Sequence, residues 1–168
     1  MGLFQMAAAS LRHSEYVLDV GAGIQPQTLI KAKVHVCVEP HHEYVKWLRE
    51  KGYYVLESTA IDVLSEMHEL DTVVMLDVIE HMEKDEGLEV IRLCKEKAKQ
   101  IVIFTPLGFC KQSYKDGEKD AWGMNGMKWQ THRSGWEPSE FDGWAIHADP
   151  AFHGERGGAF FAIWGGND

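Results

Sequence analysis

Positive charge is in short supply: 17 lysines and arginines stand against 26 aspartates and glutamates, for a formal charge of −9. That deficit works against nonspecific attraction to phosphate backbones and anionic membrane surfaces, so no nucleic-acid partner is expected. Cysteine is also sparse. Cys37, Cys94 and Cys110 are odd in number and widely spaced, with no Cys-x-x-Cys pair to suggest a zinc or redox motif, and they read as reduced thiols in a cytoplasmic protein. No segment reaches the roughly 18 apolar residues of a membrane span. The N-terminal "MGLFQMAAASLRHSEY" lacks a basic stretch before its apolar part and carries Glu15, unlike a signal peptide. Internal repeats are absent, and His41, His42, His147 and His153 fit no ligand spacing such as His-Glu-x-x-His, so no metal is assigned.

What is present is an ordinary globular composition, 45% hydrophobic and 26% charged over 168 residues, which fits one domain spanning 1–168 with a real core. Apolar runs rich in β-branched residues occur at 16–20, 34–39, 53–57, 71–77 and 100–106. Amphipathic segments lie between them. "PQTLIKA" starts on Pro26, a favourable first-turn residue; "HHEYVKWLREKG" spaces Tyr44, Val45, Leu48 and Lys51 helically; "EGLEVIRLCKEKAK" puts Leu88, Ile91 and Cys94 on one side. This alternation predicts an α/β fold, a Rossmann-like doubly wound sheet, with the apolar "VVML" and "IVIF" as central strands covered on both faces. Two more strands, 143–148 and 157–165, have no helix between them and predict an edge hairpin, for seven in all. From Phe109 to Trp136 periodicity disappears. A loop that long in a compact domain is usually functional or disordered, and Trp122, Trp129, Met124 and Met127 favour an ordered lid over 109–136. Its lysines, interspersed with Asp116, Glu118 and Asp120, read as a solvated charged surface.

The chemistry concentrates at "LDVGAGIQP". Gly21 and Gly23 follow the first strand, where ligands bind in open α/β sheets, and Glu39 ends the second strand, where a carboxylate can accept two ribose hydroxyls. These features alone would suit NAD. The dinucleotide pattern, however, wants a third glycine where this chain has Pro26. In "DVIEH", Asp77, Glu80 and His81 are spaced i, i+3, i+4, which brings them to one side of a helical turn. A capping arrangement with Asp77 as N-cap and Glu80 reaching back explains the same spacing.

In combination, "VLDVGAGIQPQTL", "VCVEP", "DTVVMLDVIEHM", "IVIFTPLGF" and "HRSGWEPSEFDGW" resemble the class I S-adenosylmethionine (SAM) dependent methyltransferases over about residues 16–165. The resemblance implies a mostly parallel seven-stranded sheet with an antiparallel last strand, and SAM as cofactor. It places Asp19, Gly21, Ala22 and Gly23 around the methionine portion of SAM, Glu39 on the ribose, and Pro40, Thr59 and Ala60 near the adenine. Asp77 would neighbour the methionine amine. Since the sulfonium already activates the methyl group, the protein mainly aligns the acceptor and excludes water. His81 is the candidate general base if the acceptor must lose a proton, and Trp129, His132 and Arg133 in the lid would face a small-molecule acceptor. Two other readings stay open at this point: a SAM-binding regulatory module without turnover, and an NAD-dependent oxidoreductase.

Overall fold

The computed structural model of the chain describes residues 1–166. Its seven strands are β1 (Tyr16–Val20), β2 (Val34–Val38), β3 (Tyr54–Leu56), β4 (Leu70–Leu76), β5 (Ala98–Pro106), β6 (Ala145–Asp149) and β7 (Ala159–Trp164). Every strand end lies within two residues of its expected position. They form one sheet in the order β3-β2-β1-β4-β5-β7-β6, parallel from β3 to β5, with β7 antiparallel to both β5 and β6. The expected α/β class, edge hairpin and antiparallel last strand are all observed.

Alternate side chains leave opposite faces of a strand, and here both faces are buried. Leu18, Val73, Met75, Ile101, Ile103 and Phe160 meet α3 (Ala60–Glu66) and α4 (Lys84–Lys97). Their neighbours Val17, Val74, Val102, Phe104, Phe161 and Ile163 meet α1 (Leu3–Ala9) and Ile30. Each such side chain contributes about 1.5–3 kcal/mol by leaving water. At the β2 side, α2 (His42–Glu50) buries Tyr44, Val45 and Leu48, the expected face. None of the described helices is long and apolar enough to cross a membrane.

Two local expectations need correction. No helix follows the glycine turn: the chain from 21 to 33 is an irregular crossover. The Gln27 amide donates to Asp19 Oδ2 (2.8 Å), and the Gln27 side chain takes both the amide (2.8 Å) and the carbonyl (2.9 Å) of Ile30, so side chains capture the groups a helical turn would pair. On α4 the buried face is Gly87, Val90, Leu93 and Cys94, while Leu88 is 48% exposed. Gly87 sets that rotation, because a Cβ there would come within 2.6 Å of the buried Trp136 ring.

Candidate active site

A cleft of about 490 Å³ opens at the carboxyl ends of β1, β2 and β4, where an open parallel sheet offers its ligand crevice. Gly21, Gly23, Glu39, Pro40, Thr59 and Ala60 line one part of it. Asp77, His81, Trp129 and Arg133 line another. Asp19, Ala22 and His132 do not line the cleft but stand behind it.

The turn is left-handed at both glycines, with φ +69° at Gly21 and +56° at Gly23. A Cβ on Gly21 would come within 2.8 Å of Val78, two residues past the end of β4, so glycine is needed for the strand ends to close together. Asp19 is buried and braces the turn from below, binding the Gln27 amide and the His35 ring (2.9 Å). Ala22 packs on Cys37 and Leu48. Glu39 is 3% exposed, and its two oxygens accept the amides of Gly23 and His41, each at 2.9 Å. Each carboxylate oxygen has a second lone pair, so both can still accept from a ligand in the cleft. Burial pushes this carboxyl up to about 7, against the pull of those two amides. Thr59 caps α3, accepting the Asp62 amide at 3.2 Å and donating to the Asp62 carboxylate at 2.7 Å.

The opposite wall is built by "DVIEH". The capping arrangement is not formed: Ile79–His81 is a separate 3-10 turn preceded by Val78, and α4 begins only at Lys84. Asp77 has φ +54°, the one left-handed non-glycine among the described residues, and such strain persists where surrounding structure holds it. Glu80, absent from the sequence-derived site, is 2% exposed; Oε2 accepts the Thr105 hydroxyl (3.0 Å), whereas Oε1 has no hydrogen-bond partner among the described residues. Burial raises both the Asp77 and the Glu80 carboxyls above their usual range; the nearby Asp77 charge adds to the rise at Glu80, whereas the hydrogen bond with Glu80 pulls against it at Asp77.

His132 arrives beside this turn from far along the chain. Backbone amides of Arg133 (2.7 Å) and Ser134 (3.2 Å) donate to the Glu80 carbonyl, and the Ser134 hydroxyl donates to the Ile79 carbonyl (3.1 Å). Trp136 anchors this strap: it is 1% exposed, donates to Ser134 Oγ (2.9 Å), and carries the Lys84 ammonium 3.6 Å from its ring centroid. Trp136→Ala should therefore cost about 3–5 kcal/mol, the range for emptying a large aromatic site, measured by urea unfolding. A loss under about 1 kcal/mol would show that the strap is not anchored there.

The His81 and His132 rings meet edge to face at 4.8 Å. Each turns Nδ1 to a backbone carbonyl, His81 to Thr131 (3.4 Å) and His132 to Cys110, which puts the lone pair of a neutral ring on Nε2; that of His81 lies 3.8 Å from Glu80 Oε1. Burial and the neighbouring His132 push His81 down to about 4, and burial lowers His132 as well, so both are neutral near pH 7. Ligand-capable atoms of Glu80, His81 and His132 all lie within 4.8 Å of one another. The sequence separation of 51 residues between His81 and His132 concealed this grouping.

No protein-family model matches the chain, and no curated protein matches its sequence. Solved structures do match its fold. A SAM-dependent methyltransferase from Archaeoglobus fulgidus superposes with a TM-score of 0.60 at 16% identity, covering 96% of this chain and 94% of that one. The enzyme of the DhpI–SAM–HEP complex gives 0.68 at 11% identity, covering 96% and 83%. The small RNA methyltransferase HEN1 gives 0.58 at 14% identity, with 98% of this chain covering 25% of that one. Strand order, the antiparallel β7 and these superpositions agree: the chain has the fold of the class I SAM-dependent methyltransferases.

Proposed function

We propose that the chain is a SAM-dependent methyltransferase acting on a small molecule. The observation that carries this reading is the meeting, in one cleft, of a side-chain-free glycine turn, a buried Glu39 with acceptor capacity to spare, and a polar wall at the end of β4. Gly21 and Gly23 would border the methionine portion, Glu39 would accept the ribose hydroxyls, and Pro40, Thr59 and Ala60 would flank the adenine. The cleft volume lies within the range of small-molecule sites. NAD fits poorly, since a pyrophosphate is normally held at a helix N-terminus and the chain has an irregular crossover after the turn. A net charge of −9 disfavours a long polyanionic acceptor.

His81 suits a different role from general base. A histidine pushed down to about 4 is a weak proton acceptor at neutral pH, but a neutral imidazole is the metal-binding form. With a second neutral imidazole beside it and Glu80 Oε1, which makes no hydrogen bond, 3.8 Å from its Nε2, the grouping fits a divalent cation. Both imidazoles already make the carbonyl contact through Nδ1 that orients metal-ligating histidines. Glu80, His81 and His132 would hold the ion, with Asp77 in the same wall. A bound divalent cation would supply Lewis-acid activation and orientation of an acceptor hydroxyl. Release of S-adenosylhomocysteine (SAH) in a screen of small hydroxylated acceptors, with Mn²⁺ present and after chelation, tests the proposal. Turnover confined to an RNA oligonucleotide would overturn the small-molecule half of it.

Glu39 gives this reading a pH signature. Ribose hydroxyls favour the ionised carboxylate, so binding drives off the proton that burial retains up to about 7. SAH affinity should therefore rise with pH between 6 and 8, approaching tenfold per unit on the acid side. In Glu39→Gln the slope should vanish; a wild-type affinity flat across that range would remove Glu39 from the site.

A further inference from the structure

The 109–136 segment contains a single short helix, α5 (Met127–Gln130), yet it is ordered around a buried carboxylate. Asp120 is 6% exposed rather than solvated as its charged neighbours suggested. It accepts the amides of Trp122 (2.9 Å), Met124 (2.8 Å) and Gly126 (2.8 Å), together with the hydroxyl of Tyr44 on α2. Gln130 is a second node, accepting from Tyr114 and the Ala121 amide and donating to the Tyr44 hydroxyl at 2.9 Å. A Cβ on Gly126 would overlap that hydroxyl, so the contact closes only over glycine.

Most of these bonds lie inside the segment and travel with it. Among the described residues, the polar contacts between this knot and α2 are Tyr44 with Asp120, Tyr44 with Gln130, and the His41 ring with Asn125 (2.8 Å) at the start of the helix. What they hold in place is Trp122. Its ring lies edge-on to Tyr44 at 5.1 Å and covers Gly23 so closely that Cη2 is 2.3 Å from where a Cβ would stand. Gly23 is buried beneath it.

We propose that Tyr44 and Asp120 form a latch that seats Trp122 on the glycine turn in the free chain, where the methionine end of SAM would otherwise lie. This rests on the SAM reading above. Cofactor enters when the knot swings off α2 as a unit, and its apparent affinity is reduced by the fraction of chains in the latched state. Trp122 is thus an autoinhibitory contact, and lid motions of this kind set binding and turnover rates in many enzymes.

SAH is the probe, with calorimetry for affinity and stopped-flow fluorescence for association. Trp122→Ala and Tyr44→Phe should each speed SAH association and tighten its Kd by about fivefold to tenfold, with little change in dissociation rate. Asn125→Ala, at an exposed position that breaks only the His41 contact, should act in the same direction and more weakly. If Tyr44→Phe fails to fold, the other two variants carry the test. Weaker SAH binding by Trp122→Ala at an unchanged association rate would overturn the latch, because Trp122 would then be a wall of the bound cofactor. Unchanged affinity and rates in all variants would overturn it equally. Those failures differ from failure of the cofactor reading, in which neither the wild type nor any variant binds SAH.

Discussion

Gly23→Val is expected to abolish SAM and SAH binding, by at least about 100-fold, in a chain that still folds. A β-branched residue at φ +56° is strained whatever the space around it. There is also no space: the added carbon would stand within 2.7 Å of two Trp122 ring atoms. Valine would therefore distort the turn and unseat the residue above it, while occupying the place proposed for the methionine portion. A loss of 100-fold is about 2.7 kcal/mol, within the reach of such strain combined with one steric block. Circular dichroism should show a native spectrum, because the three core clusters do not include Gly23. A folded variant with a normal SAH titration would show that the turn is not the site.

His81→Ala and His132→Ala should both lower Mn²⁺-dependent turnover by about 10²-fold or more, the scale of several kcal/mol of Lewis-acid stabilisation. Their agreement is the informative part. A general base at His81 predicts disagreement instead: His81→Ala would remove the base, whereas His132→Ala would remove only a neighbour that pushes His81 down and leave the base in place. Shared loss of the Mn²⁺-induced rise in Tm, with SAH affinity retained, is the pattern a common ion centre predicts. Two variants that bind Mn²⁺ like the wild type would contradict the centre.

Much of the framework was legible because its physics is local. Central parallel strands must be apolar on both faces, and "VVML" and "IVIF" show it; a strand ending at a glycine turn announces the crevice; Tyr44, Val45 and Leu48 mark one face of α2 by spacing alone. The crossover after that turn is not legible because Pro26 suits a helix start, whereas the outcome depends on Asp19 and Gln27 capturing backbone groups. The burial of Asp120 is hidden for a similar reason. Nothing in "KDGEKDAWG" reveals that a tyrosine 76 residues earlier buries one carboxylate among its charged neighbours. The capping reading of Asp77 and Glu80 used a correct spacing with the wrong consequence, since the turn there is 3-10 and Glu80 points inward. His132 was placed near the acceptor from "HRSGW", but its partnership with His81 follows from the Glu80 carbonyl accepting two amides of the strap, a contact no periodicity encodes.

The cofactor assignment is the claim on which the rest depends, and calorimetric titration of the purified chain with SAH, and separately with NAD, tests it most directly. The expected result is one SAH per chain, no heat from NAD, and a Glu39→Ala variant weaker by about 1–3 kcal/mol, the scale for hydrogen bonds to a charged group. Binding of NAD in place of SAH, or an SAH affinity unchanged in Glu39→Ala, would contradict it.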